Sequence, residues 1–268
     1  MLCIGVPLAI FRIYVFVWCV VAMRALAFFC LLGLPPDAGV DTPIPRWRQF
    51  LFRRPMLRLL RVILHCFGFF WIRVNGRPAG KQEAPIIVSN HVSIFEAFYL
   101  AMATLASPVQ RAEDAWIPFL GPLFRAAQSV FVDRSDPASR RRTVEAIRRR
   151  AANPDFPQVL LFPEGTCSNG SAVISFKNGA FNAGVPVQPV VVRYHHRGAV
   201  DPCCVAAGPP MHVIALRMLC TPFNSVEFTW LPVCTPTLEE ARDPAAFAAT
   251  VQARMAVAAG ATVTRHTF

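Results

Sequence analysis

Residues Asn90 to Glu96, NHVSIFE, put a histidine and a carboxylate five residues apart, directly after the apolar run APIIVS. An imidazole titrates close to neutrality and can take a proton from a hydroxyl, while a carboxylate can hold its tautomer. On one continuous helix, five steps of about 100° would leave the two side chains roughly 140° apart. His91 therefore pairs with Glu96 only from a turn that precedes the helix. Ser93-x-x-Glu96 is a capping-box pattern and would supply such a turn, but capping alone is merely the chemistry of a helix start. Spacing leaves both readings open.

Further along, FPEGTCSNG follows the apolar run QVLLF. Glu164 can accept a bond from a substrate hydroxyl or hold an arginine. Gly165 lets a ligand approach the backbone closely, and Thr166 can donate to phosphate. Gly165 to Gly170 has the G-x-x-x-x-G spacing, but Ser171-Ala172 stands where a P-loop has Lys-Ser/Thr, so a nucleotide-triphosphate site is not expected. Neither G-x-S-x-G nor H-E-x-x-H occurs, which sets aside the simple serine-hydrolase and zinc-protease readings. Asn169-Gly170-Ser171 is formally a glycosylation sequon. Arg134 follows the run SVFVD, and arginine binds phosphate through its planar fork. Most of the other arginines nearby, Arg140 to Arg142 and Arg148 to Arg150, read as a solvated helix face. Lys177 is a further phosphate contact or plain surface.

The elements that must position these residues are short apolar runs alternating with helical patterns. APIIVS, SVFVD, QVLLFP and VPVQPVVVRY read as buried strands, and VEFTWLPV as a later one. FEAFYLAMATLA and SRRRTVEAIRRRAA read as helices, and a last helix is predicted from near Thr237 to Gly260 across Pro244. Strand–helix alternation predicts an α/β layer with a mostly parallel sheet flanked by helices. In such sheets the loops at the carboxyl ends of the strands build the site, and His91, Arg134 and Glu164 all fall there.

The N-terminal end differs. Residues Leu2 to Leu34 are apolar except for Arg12 and Arg24, long enough to cross a bilayer, which takes about 20 residues. A cation at the bilayer centre costs about 3 kcal/mol. A tilted span with Arg24 reaching the interface, a re-entrant hairpin and a cleaved signal peptide compete, the signal peptide ranked last. Arg46, Arg48, Arg53 and Arg54 follow as a cytosolic flank would. Met56 to Ile72 is a second apolar segment with Arg58, Arg61 and His65 on one face, read as an interfacial helix, with a core helix as the alternative. The expected division is membrane-anchoring helices over 1–72 and a catalytic domain over 73–268. The whole chain of 268 residues is 54% hydrophobic and 16% charged with net charge +11, so an anionic lipid or phosphorylated partner is favoured. No nucleic-acid-binding signature accompanies that charge. Nine cysteines, an odd number with no C-x-x-C pair, read as reduced thiols rather than a disulfide framework.

Together, NHVSIFE, SVFVDRSD, LLFPEGTCSNG and GVPVQPVVVRY resemble, in order and interval, the four blocks of the glycerolipid acyltransferase family. SRRRTVEAIRRRA, FPEGTCSNG, SFKNGAF, PVQPVVVRY and the tail VTRHTF look like its lysophosphatidylcholine acyltransferase branch. The resemblance covers about residues 46 to 268. It implies the family's α/β fold and transfer of a fatty acyl group from acyl-CoA, a co-substrate and not a bound cofactor, to a lysophospholipid hydroxyl. His91 would be the general base and Glu96 the orienting acid. Arg134, Glu164, Gly165 and Thr166 would bind the phosphate-bearing acceptor, with Lys177 a further contact. Pro186 to Pro189 would shape the acyl-CoA side, Pro189 among them. No metal is implied, and the expected partners are acyl-CoA, a lysophospholipid and the bilayer, in the endoplasmic reticulum membrane with the catalytic domain facing the cytosol. An interfacial enzyme avoids drawing a chain of roughly fifteen CH₂ groups into water, a cost of about 12 kcal/mol. The family usually has Asp where this chain has Glu96, so Glu96→Asp is expected to preserve or raise activity. Longer relatives carry calcium-binding EF-hands; no D-x-D-x-D-G loop occurs here, and calcium control is not expected. Two rivals remain: an acyltransferase making phosphatidic acid, and an inactive lipid-binding scaffold.

Overall fold

The computed structural model describes residues 2–118, 120–195, 200–205 and 207–264. The chain runs α1 (Leu2–Leu31), α2 (Arg46–Cys66), β1 (Ile72–Asn75), β2 (Ile86–Ser89), α3 (Phe95–Thr104), β3 (Ser107–Arg111), α4 (Gly121–Ala126), β4 (Val130–Val132), α5 (Pro137–Ala152), β5 (Val159–Leu161), β6 (Ala172–Val173), β7 (Val187–Tyr194), α6 (Met211–Cys220), β8 (Val226–Trp230), α7 (Leu238–Arg242), α8 (Pro244–Ala259) and β9 (Thr262–Val263). Seven strands form one sheet in the order β1-β8-β7-β2-β5-β3-β4, parallel throughout except for the β7–β8 pair. The small β6–β9 pair is separate. The expected α/β architecture with a mostly parallel sheet is the one observed, and the five predicted strands are β2, β4, β5, β7 and β8.

The strands in the middle are apolar on both faces because helices cover both. In β2, Ile87 joins an apolar cluster with Leu60, Ile63 and Leu64 of α2, Phe95 and Leu100 of α3, Ile214 and Met218 of α6, and Ala9, Met23 and Ala27 of α1. Its neighbours Ile86 and Val88 point the other way, to Ile147 of α5 and to Phe247, Val251 and Met255 of α8. This alternation is the strand period of two.

Helix ends follow their local chemistry. Asp136 accepts from Ala138 N and Ser139 N, with Pro137 at the first position of α5, where its missing N–H costs nothing. The helix predicted from Thr237 to Gly260 is instead two. Asp243 accepts from Ala245 N and Ala246 N, and Pro244 starts α8 afresh because it cannot continue the preceding ladder. Gly260, at φ +58°, closes α8 as expected.

The N-terminal segment is one unbroken helix, not a hairpin. At 1.5 Å per residue its 30 residues run about 45 Å, long and apolar enough to cross a membrane. One stripe, Ala9, Arg12, Cys19, Met23, Ala27 and Cys30, is buried against the rest of the chain, and Phe11, Tyr14, Trp18, Phe28 and Phe29 face outward. Arg12 is not a bare charge. It donates to the carbonyls of Leu219 (3.0 Å), Thr221 (2.6 Å) and Pro222 (2.8 Å) at the C-terminal end of α6, the pole that favours a cation. The core-helix alternative is what forms over residues 56–66: α2 buries Leu60, Ile63, Leu64 and Cys66, Arg61 donates to Phe70 O, and His65 stacks on Phe70. Its first half leaves Trp47, Phe50 and Leu51 exposed. Residues 265–268 of the tail VTRHTF lie outside the described residues.

Candidate active site

Parallel strands with shared register bring the three motifs to one sheet edge. Ile87 pairs with Leu160 and Val88 with Leu161, so the turns that follow β2 and β5 leave the sheet side by side. The β2 turn is tied down from three directions. Asn90 exchanges bonds with Val192 of β7, its Nδ2 donating to the carbonyl (3.0 Å) and its Oδ1 accepting from the amide (2.7 Å). Ser168 N donates to His91 O (2.7 Å), and Cys204 N to Val92 O (2.9 Å). His91 thus stands in the turn before α3, as pairing with Glu96 requires.

His91 Nδ1 lies 2.9 Å from Glu96 Oε1. A carboxylate oxygen accepts from Nδ1–H here, so Nε2 is the ring nitrogen left to face a ligand. The same oxygen accepts from Val92 N and Ser93 N, each at 2.8 Å. Glu96 is therefore both a cap and the partner of His91. The capping box is only half built: Ser93 Oγ faces Cys204 Sγ at 3.5 Å and caps no helix amide. The other carboxylate oxygen accepts from Tyr194 Oη at 2.6 Å. Glu96 is fully buried, whereas the His91 side chain keeps 22% of its exposure and can meet a ligand. The His91 ring stacks on Phe162, centroids 4.2 Å apart. Burial works against charging this imidazole, but hydrogen bonds to Cys167 and Glu96, together with the Glu96 charge, raise its pKa to about 10.

Glu164 is buried, and its Oε1 accepts from His91 N at 2.9 Å. Burial raises its pKa to about 7 against the bonds from His91, Ser168 and Ile174. Gly165 has φ +72°, a conformation that favours glycine, and a Cβ there would stand 2.8 Å from Lys177 Nζ and push the end of that flexible side chain aside. Arg134 Nη1 donates to Gly165 O at 2.7 Å, which brings Arg134 and Lys177 to one peptide. Burial, then Arg134 and Arg140, lower the Lys177 pKa. Thr166 follows in the same turn, half-exposed.

Of the predicted residues, the structure gathers His91, Glu96, Glu164, Gly165, Thr166, Arg134 and Lys177. It does not bring Pro189 to them: Pro189 is buried inside β7, paired with Val88 of β2 and accepting from Leu231 N. Arg150 also departs from expectation. It is buried and donates to the carbonyls of Gln128, Gly39 and Val40, a structural clamp and not a solvated face. Sequence reasoning missed Tyr194, Asn90 and Cys167. All three sit inside the quoted motifs, Tyr194 as the last residue of GVPVQPVVVRY, but nothing local marks Tyr194 as a partner of Glu96. Behind Tyr194 lies a cavity of about 640 Å³ walled by Phe69, Trp71, Arg73, His195, Met218 and Phe223.

Residues 71–193 match the family model described as Acyltransferase. The chain is 44% identical over 245 residues to "Lysophosphatidylcholine acyltransferase 1" of Danio rerio, covering 90% of this chain and 46% of that protein. It is 40% identical over 268 residues to "Lysophospholipid acyltransferase LPCAT4" of Mus musculus, covering 99% of this chain and 51% of that protein. The chain thus spans about half the length of these curated relatives. The crystal structure of the 1-acyl-sn-glycerophosphate (LPA) acyltransferase PlsC from Thermotoga maritima shares the fold, with a TM-score of 0.61 over 97% of this chain and 98% of that chain at 18% identity.

Proposed function

We propose that the chain is a glycerolipid acyltransferase of the lysophosphatidylcholine acyltransferase branch, which it resembles, and that it moves a fatty acyl group from acyl-CoA to the free hydroxyl of a lysophospholipid. The observation that carries this reading is the buried Glu96 holding Nδ1–H of His91 while two cations, Arg134 and Lys177, meet at Gly165 on the adjoining turn. A base for a hydroxyl and a seat for a phosphate then lie on neighbouring strand ends.

In this scheme the acceptor's phosphate rests between Arg134 and Lys177, and its hydroxyl reaches Nε2 of His91. Nε2 takes the hydroxyl proton as the oxygen bonds to the thioester carbonyl carbon. The carbonyl π electrons move to oxygen, then return as the C–S bond breaks. The CoA sulfur leaves with the proton from the imidazolium, and His91 is restored. A thioester is already activated, so no covalent enzyme intermediate is required. Glu96 stabilises the imidazolium that forms between the two steps. The cavity behind Tyr194 has the size of an ordinary ligand site, roughly 300–1,000 Å³, and its walls mix aromatic rings with the polar groups of Arg73, His195, Asn224 and Ser225. The exposed apolar face of α1 seats the chain in a membrane. The basic start of α2, with Arg46, Arg48, Arg53 and Arg54, favours a cytosolic catalytic face, and we assign the endoplasmic reticulum by analogy with the branch.

The test is an acceptor panel with choline, ethanolamine and bare phosphate headgroups, scored by free CoA. The choline acceptor is expected to lead. A clear win for the bare phosphate acceptor would replace this reading with phosphatidic acid synthesis, and no acceptor-dependent CoA would leave only a lipid-binding scaffold.

A further inference from the structure

Glu96 Oε1 is fully occupied: the amides of Val92 and Ser93 and Nδ1–H of His91 all end on it. The second oxygen, Oε2, is the one free to turn the carboxylate away from His91. Tyr194 stops that. It is the last residue of β7, the strand beside β2, and its hydroxyl donates to Oε2 at 2.6 Å. Its ring is set by Phe69, 6.0 Å away between centroids, and Phe69 also packs on Phe95 at the start of α3. Burial, then the charge of Glu96, hold the phenol well above its ordinary pKa, so it donates at every physiological pH.

Reach matters here. Aspartate is one methylene shorter, about 1.5 Å. A carboxylate placed to serve Val92, Ser93 and His91 from that shorter arm would fall away from Tyr194. The glutamate at position 96 is matched to the tyrosine at position 194.

We infer that Tyr194 is a positioning residue for the His91–Glu96 pair: its hydroxyl pins Glu96 Oε2, which keeps Oε1 on Nδ1–H and leaves Nε2 of His91 as the base. The catalytic part of this statement rests on the acyltransferase reading above; the geometric part does not. The titratable groups facing this pair are Glu164 and Cys167 from the β5–β6 connection and Cys203 and Cys204 from the segment over the β2 turn. Tyr194→Phe leaves all of them in place and removes one oxygen.

The experiment is a titration of His91 by nitrogen NMR on histidine-labelled full-length protein in lipid nanodiscs, wild type against Tyr194→Phe, without substrate. The His91 midpoint is expected to fall by at least about half a unit in Tyr194→Phe, because the unpinned carboxylate turns away from Nδ1–H, and a rise would overturn the inference. An unchanged midpoint overturns the inference whether or not the protein is an acyltransferase. In turnover, Tyr194→Phe is expected to lower kcat about tenfold with both KM values within twofold. On a Glu96→Gln background the same substitution is expected to add less than a twofold loss, because its route through the carboxylate is already cut. An additive tenfold loss there would show that Tyr194 acts through something else.

Discussion

Glu96 carries two duties on one oxygen, capping the amides of Val92 and Ser93 and orienting His91. Sequence spacing presented these as competing stories, and the structure makes them one. It also reverses an expectation. With Tyr194 on Oε2, Glu96→Asp is now expected to cut kcat/KM about tenfold instead of preserving it, measured with saturating acyl-CoA. The raised His91 pKa has a direct consequence. The base form accumulates only as pH climbs towards about 10, so kcat/KM should keep rising from pH 7 to pH 10; a profile flat above pH 7 would show an ordinary imidazole. The matching stability term has the opposite course. It is complete below about pH 6.5 and is lost as pH rises through about 10. Gly165→Ala should raise the acceptor KM several-fold with kcat little changed, because the new methyl displaces Lys177 and strains a positive φ. His91, Glu96, Arg134, Glu164, Gly165 and Lys177 were legible because each sits in a short motif at a strand end. Tyr194 was not, because its contact spans 98 residues and depends on β7 lying beside β2.

At the scale of elements, apolar runs revealed the central strands, since β2, β5 and β7 are buried on both faces. β1 and β3 were not legible. β1 is an edge strand whose last three residues are exposed, and β3, Ser107–Arg111, contains Pro108 and polar residues. Neither shows the unbroken apolar run of a central strand. The joint between α1 and α6 was equally hidden. Arg12 reads as an awkward charge in an apolar helix, yet it satisfies three carbonyls at the end of α6. Arg12→Ala leaves those acceptors partly buried without a donor, and hydrogen bonds to a charged group are worth about 1.5–3 kcal/mol each. The apparent Tm in detergent should fall by several degrees while Arg24→Ala, outside this joint, leaves it within about one degree.

For the molecule as a whole, an outward face of Phe11, Tyr14, Trp18, Phe28 and Phe29 on α1, continued by Trp47, Phe50 and Leu51 on α2, is too apolar to sit in water. With a net charge of +11 the surface should also favour anionic lipid. Flotation with vesicles should therefore retain the protein in 1 M NaCl, where charge attraction is screened within about 3 Å, and release there would argue against apolar insertion. The same helices share one apolar cluster with the sheet, so membrane seat and active site are built on a common core. On the proposed reading, that arrangement lets an acyl chain be handled without leaving the interface. The measurement that bears most directly on this account is free CoA released from palmitoyl-CoA, with and without lysophosphatidylcholine, by the wild type and by His91→Ala of matched Tm. CoA should appear only when the acceptor is present and should fall at least about 100-fold in the variant. Release without acceptor, or a loss below threefold, would contradict His91 as the base of an acyl transfer.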